Sequence, residues 1–351
     1  MSRHLEARLV CSSPSLPPPQ PWLALLLLAA CSDNVSAIPQ PDAGPTAPLP
    51  SVTATVAPGA EDAAPAPKPT TTDAGDDSGA TTVSEYKTTV SGSNDPADVY
   101  FPSIKEKDSM PVVVLAQGAK VDKKHYSRIA KSVALSGFVV IVPNHKRTVF
   151  IDTNFYPEAS SVLAAFTHVV AEAKRSGAPI EGLVDTSKFA VLGHSFGGAL
   201  GVNMLGGTCS IPFCSPPYTV PKELKAGVFY GTSLKPPFGE IPATTNAGRG
   251  IALIQGSLDG KNATADARTT FDKIATAPRA YVLVSGANHY GINDTNNPMG
   301  ADADANTNTL SQLESTETVG RWAGAFLRAA VLGDAAAKAQ FSQDPSIVSE
   351  F

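Results

Sequence analysis

The sequence predicts an α/β fold with a mostly parallel central sheet and helices on both faces. Three observations predict it. Short, continuous apolar runs such as Val112 to Ala116 and Phe138 to Val142 have the length and composition of strands buried on both faces. Longer amphipathic stretches closed by glycine read as helices. The two kinds of segment alternate along the chain after about residue 83, which is the pattern of a parallel sheet built from strand–helix units.

Taken in order, Val83 to Val90 reads as a strand, and Ser91-Gly92-Ser93-Asn94 as a turn. Val99-Tyr100-Phe101 continues the sheet and stops at Pro102; Val112 to Ala116 follows after Met110-Pro111. A helix is expected over Lys124 to Ser136, closed by Gly137, then the strand Phe138 to Val142, ended by Pro143. Tyr156 to Ser176 reads as an amphipathic helix with Gly177 past its end. Phe189 to Leu192 is a strand and Phe196 to Leu205 a helix. Ala226 to Tyr230, Ile251 to Gln255 and Ala280 to Ser285 are three further strands, and Thr309 to Leu332 a final helix. No internal repeat is present.

The N-terminal quarter has a different character. Arg3 and Arg8 precede an apolar run from Trp22 to Ala30. That run is far below the roughly 20 residues a membrane-spanning helix needs, but it suits the core of an export signal. It ends Leu28-Ala29-Ala30-Cys31, which resembles the lipobox of bacterial lipoproteins. The resemblance implies removal of residues 1–30, a lipid on Cys31, and a protein held on a bacterial membrane, on its periplasmic or surface side. Residues 31–82, dominated by Pro, Ala, Thr, Asp and Gly and without an aromatic residue from 32 to 80, cannot bury enough apolar surface to offset ordering. A disordered tether is expected there, and a folded domain over 83–351.

Charge narrows the partners. With 27 basic and 32 acidic side chains the formal net charge is −5, and no basic stripe marks a nucleic-acid surface. In an oxidising compartment Cys209 and Cys214 form an even pair, so a disulfide is expected; a metal site is the weaker alternative, since no histidine lies between them.

The strongest chemical signal is Gly193-His194-Ser195-Phe196-Gly197-Gly198, a Gly-x-Ser-x-Gly pattern between a predicted strand and a predicted helix. A nucleophilic serine needs a sharp turn that exposes its hydroxyl, and glycines at Gly193 and Gly197 let strand and helix approach. The helix N-terminus supplies N–H groups for a developing oxyanion. A serine hydroxyl also needs a base. His289 is the only histidine after Ser195, in Gly286-Ala287-Asn288-His289-Tyr290-Gly291, directly after a strand. His125, His145, His168 and His194 read as structural or surface, with His145 the one that could line a cleft. The acid that orients the base is expected at Asp259, one short turn past the strand Ile251 to Gln255. Asp266 and Asp272 are rivals on a helix.

On these residues the chain resembles the α/β-hydrolases over most of its length after Val83. The segment Pro111 to Gly118 is similar to the strand and glycine turn that build the family's oxyanion hole, and Val184 to Val191 to its lead-in to the nucleophile. Within that family it looks nearest to dienelactone hydrolases, platelet-activating-factor acetylhydrolases, chlorophyllases and bacterial polyester hydrolases. The resemblance implies a serine esterase working through an acyl-enzyme, with Ser195, Asp259 and His289 as triad and the N–H groups of Ala119 and Phe196 as oxyanion donors. It also implies a monomer needing no cofactor or metal, acting on a small or lipid-like ester. Gln117 departs from the family, which commonly has histidine there, and Ala119 stands where polyester hydrolases usually place an aromatic wall. The alternatives are a lipid-anchored binding protein on an inactive hydrolase fold, and an acyltransferase. The crowd of Asp294, Asn296, Asn297, Asp302 and Asp304 reads as a solvated acidic loop rather than a calcium site, since no EF-hand spacing is present. The segment Gly206 to Pro221 reads either as a rigid flap over the cleft or as a crossover without substrate contact.

Overall fold

The computed structural model describes residues 82–103, 107–209, 212–215 and 218–351, which all fall in the unit Asp73–Phe351. The expected export signal, Cys31 and the tether through residue 81 lie outside the described residues. The strands are β1 (Val83–Thr89), β2 (Pro96–Pro102), β3 (Met110–Ala116), β4 (Val139–Pro143), β5 (Lys146–Val149), β6 (Asp152–Phe155), β7 (Val184–His194), β8 (Leu224–Tyr230), β9 (Gly250–Gly256), β10 (Arg279–Val284) and β11 (Val348–Glu350). The α-helices are α1 (Ser127–Leu135), α2 (Ala159–Glu172), α3 (Phe196–Gly206), α4 (Thr264–Asp272), α5 (Gln312–Leu327) and α6 (Ala335–Gln343).

Nine strands form one sheet in the order β1-β2-β4-β3-β7-β8-β9-β10-β11. The six from β4 to β10 run parallel. Antiparallel pairs occur only towards the two edges of this sheet, β1 with β2, β2 with β4, and β10 with β11. This is the α/β-hydrolase fold, with a mostly parallel sheet flanked by helices.

Period-two alternation builds two cores at once. On β3, Val112 and Val114 face one cluster while Val113 and Leu115 face the other; on β7, Phe189 and Val191 oppose Ala190 and Leu192 in the same way. Val162, Ala165 and Val169 of α2, Leu200 and Met204 of α3 and Phe271 of α4 cover the first face. Ile129 and Val133 of α1, Val319, Ala323 and Phe326 of α5 and Phe341 of α6 cover the second. Parallel strands put their C-terminal ends on one rim, and the loops after β3, β7, β9 and β10 therefore share one end of the sheet.

Helix ends move inward from their sequence expectations, for local reasons. Helix α2 begins at Ala159 rather than Tyr156, because Pro157 and the extended Glu158 precede it and Ser161 closes a capping box with Glu158. The expected helix from Lys124 divides into a 3-10 turn, Lys123–Tyr126, and α1. The carboxylate of Asp294, far away in sequence, accepts the Ser127 and Arg128 N–H groups at the junction. Helix α5 starts after Ser311, which forms a capping box with Glu314, and ends in a π-helical turn, Arg328–Leu332. The hairpin β5–β6, helix α6 and edge strand β11 had no sequence expectation. The hairpin escaped because its turn is Phe150-Ile151, with Phe150 at φ +56°, where hairpin chemistry favours Gly or Asn.

Candidate active site

Ser195 sits between the end of β7 and the first residue of α3 with φ +52° and ψ −114°, a conformation L side chains rarely adopt. The turn that holds it is possible only with glycine on both sides. A Cβ on Gly193 would stand 2.5 Å from the Gly197 carbonyl oxygen, and one on Gly197 would overlap the Ala116 carbonyl. The Gly197 N–H donates to the Gln117 carbonyl at 3.0 Å, locking the serine turn to the turn after β3.

Two backbone N–H groups stand at the junction of these turns without an acceptor among the described residues, those of Ala119 and Phe196. Their neighbours are engaged: Gly118 N–H donates to the Tyr126 hydroxyl, Lys120 N–H to Phe155, Ser195 N–H to Tyr230 and Gly197 N–H to Gln117. The Gln117 side chain supports the turn by donating to the Val121 carbonyl at 3.1 Å and to Asn144 at 2.5 Å. The Asn144 oxygen in turn accepts the Lys123 N–H.

Asp259 follows β9 across a tight turn, and His289 follows β10. The imidazole Nδ1 lies 2.9 and 3.1 Å from the two Asp259 oxygens, and both side chains are almost wholly buried. The Asp259 carboxylate also accepts the N–H groups of Lys261 and Asn262 and the Gln255 side-chain amide. Burial pushes this carboxyl up, but the His289 hydrogen bond and charge, with the two backbone donors, outweigh it and hold it below its ordinary value. An ionised Asp259 fixes the proton on Nδ1 and leaves Nε2 as the acceptor.

Backbone contacts bring this pair to the serine turn. Ser195 N–H donates to Tyr230 at 2.9 Å. The next residue, Gly231, is in a left-handed conformation, φ +59°, and a Cβ on it would stand 3.1 Å from both Asp259 Oδ2 and His289 Nδ1. The Thr232 hydroxyl donates to the Ser195 carbonyl.

Below the site lies a buried relay. His194 Nε2 donates to the His289 carbonyl at 2.9 Å, so its Nδ1 is the acceptor for the Tyr126 hydroxyl at 2.9 Å, and Tyr126 accepts from Gly118. Burial, then repulsion from His289, lowers the His194 imidazole to about 3, so it is neutral. Both His194 ring nitrogens are bonded, and the residue joins the turn after β3 to the His289 backbone.

The other histidines also serve the scaffold. His168 bonds Thr88 and Ser91, His125 bonds Thr295, and His145 bonds Asp95. Asp266 and Asp272 lie on α4 and face Lys235 and Arg268. The solvated reading of the acidic loop is corrected for Asp304, which is 5% exposed and accepts the N–H groups of His289, Gly260 and Asn306. Its role lay beyond sequence reasoning because its donors are backbone groups brought close only by folding.

The residue after Ser195 packs among aromatic rings. The Phe196 ring lies 5.4 Å from Tyr156 and 4.9 Å from Phe213. Cys209 and Cys214 are disulfide-bonded; the Pro212 carbonyl accepts from Arg147 and the Phe213 carbonyl accepts the Ala159 N–H. The Gly206 to Pro221 segment therefore contributes a ring to the Ser195 neighbourhood.

Residues 58–209 match the family model of PET hydrolase-like proteins. The chain is similar to these polyester hydrolases of the α/β-hydrolase superfamily, and the match points to carboxylic ester hydrolysis. It spans the turn after β3 and Ser195, and ends before Asp259 and His289. No curated protein matches the chain.

Proposed function

We propose that this chain hydrolyses carboxylic esters through an acyl-enzyme. The observation that carries the reading is the buried Asp259–His289 pair held against the strained Ser195 turn through Tyr230 and Gly231. His289 Nε2 takes the Ser195 hydroxyl proton as Oγ bonds to the ester carbonyl carbon. Negative charge moves onto the carbonyl oxygen, which the free N–H groups of Ala119 and Phe196 stabilise; one such donor is worth about 10²–10³ in rate. The tetrahedral intermediate collapses by breaking the ester C–O bond, and the imidazolium gives its proton to the departing alkoxide. Water then repeats the sequence on the acyl-enzyme, with His289 as base, and releases the acid.

Phe196 and Phe213, backed by the buried Tyr156, offer an apolar, aromatic surface for the ester's acyl or alcohol side. The test is incubation with a fluorophosphonate probe, followed by a panel of p-nitrophenyl esters of increasing acyl length and a polyester film. Labelling at Ser195 with turnover supports the reading. A folded protein that takes no label and turns over no ester favours the binding-protein alternative. Export and lipidation at Cys31 belong to the same proposal; mass spectrometry of the mature N-terminus tests them.

A further inference from the structure

We propose that Asp304 is a positioning residue of this site, a carboxylate that ties the acid-bearing loop to the base-bearing loop and so sets the Asp259–His289 contact. This rests on the esterase reading above. One oxygen, Oδ2, accepts the His289 N–H at 2.9 Å and the Gly260 N–H at 3.2 Å, while Oδ1 accepts the Asn306 N–H at 2.9 Å. His289 is the base and Gly260 is the residue directly after the acid, so a single atom bridges the backbones on which both side chains stand. A carboxylate is an acceptor on both oxygens, which suits three converging N–H donors.

The surroundings are built to keep that carboxylate in place. Asp304 is 5% exposed, and its own N–H donates to Asn297 at 2.9 Å. Gly260 has no side chain where one would collide with Asp304 Oδ1, so the carboxylate reaches the Gly260 N–H unobstructed. Residues from the same segment grip the position before the base: Asn288 donates to Asn296 at 3.0 Å and to the Asn306 carbonyl at 2.7 Å. Asp304 touches neither imidazole nor reacting atoms in these contacts; it acts through the backbone.

The physical reason this matters for rate is geometric. The two loops leave different strands, β9 and β10, and their side chains meet at hydrogen-bond distance. A displacement of about 1 Å in such a constellation costs on the order of 10²-fold.

The test compares Asp304→Asn, Asp259→Asn and the double variant in the full chain, reading kcat and KM on p-nitrophenyl butyrate and thermal midpoints. Asparagine presents an NH2 group to one of the donors. Asp304→Asn is expected to lower kcat about 10- to 100-fold with KM within about threefold, and to lower it less than about threefold further in the Asp259→Asn background, where the contact it positions is already lost. Equal losses in both backgrounds, or an unchanged kcat, overturn the proposal. If Asp304→Asn does not fold, Gly260→Ala displaces the carboxylate without removing it and is read the same way; equal losses or unchanged kcat there overturn it too. Failure of the unaltered chain to cleave ester or take the probe sinks the esterase reading itself, a separate result from retained kcat in Asp304→Asn.

Discussion

His194 Nε2 donates to the carbonyl oxygen of His289 at 2.9 Å, and the two rings lie 4.9 Å apart. The neighbour of the proposed nucleophile is thus a neutral imidazole that props the backbone of the proposed base. Tyr126, Tyr230 and Tyr290 close around it.

Burial of the His194 imidazole makes stability depend on pH. The unfolded imidazole titrates near 6.5, the folded one near 3, so the unfolded chain binds the proton first as pH falls. Stability is therefore complete above about pH 6.5 and declines towards pH 3, by up to about 1.4 kcal/mol per unit. The lowered Asp259 carboxyl acts in the same direction at the acid end. Denaturant unfolding at about pH 8 and about pH 5 should differ by about 2 kcal/mol from His194, to which His125 and His168, also lowered by burial, add in the same direction. His194→Gln, which has one donor and one acceptor for the same neighbours, should remove the His194 share of that difference; an undiminished difference contradicts the assignment.

Ser195 stores strain for its geometry. Ser195→Gly relieves a conformation glycine tolerates, so it should abolish ester turnover while raising stability by about 1 kcal/mol. Calorimetry beside an activity assay reads both, and a less stable glycine variant argues against strain at this turn.

Removing the acid should leave nucleophile and base in place but misorient the imidazole. Asp259→Asn is expected to lower kcat about 10⁴-fold with little change in fold. Circular dichroism and kcat together decide it; near-normal turnover moves the acid elsewhere.

Gly197→Ala tests the close approach of the serine turn to the turn after β3. Its methyl would overlap the Ala116 carbonyl, so about 1–3 kcal/mol of stability or more should go, along with the oxyanion geometry. A fully stable, active variant would show that the two turns are not locked together.

The disulfide closes a short loop, with a sequence separation of 5. Cys209→Ser with Cys214→Ser should cost about 2 kcal/mol by loop entropy. It should also raise KM more than it lowers kcat, because Phe213, next to Cys214, then keeps only the Ala159 hydrogen bond to hold it beside Phe196. Unchanged KM across the ester panel would remove that ring from the substrate path.

The alternation of buried strands and amphipathic helices, and the Gly-x-Ser-x-Gly turn, were legible because each depends on neighbours in sequence. Period-two apolar runs need no partner to be recognised, and the spacing of Gly193, Ser195 and Gly197 at a strand-to-helix junction is read from adjacent residues. The β5–β6 hairpin was illegible since Phe150-Ile151 lacks turn chemistry, and the edge strand β11 since its 3 residues carry no period of their own.

What the sequence by itself determined is local: the strand and helix types, the serine turn, and the order Ser195, Asp259, His289 along the chain. Tertiary structure alone decided that Asp259 and His289 bond at 2.9 Å, that His194 props the His289 backbone, and that Asp304 joins two loops. The reason is that hydrogen bonds between backbone and distant side chains have no sequence period. They exist only once the parallel strands bring their C-terminal loops to one rim.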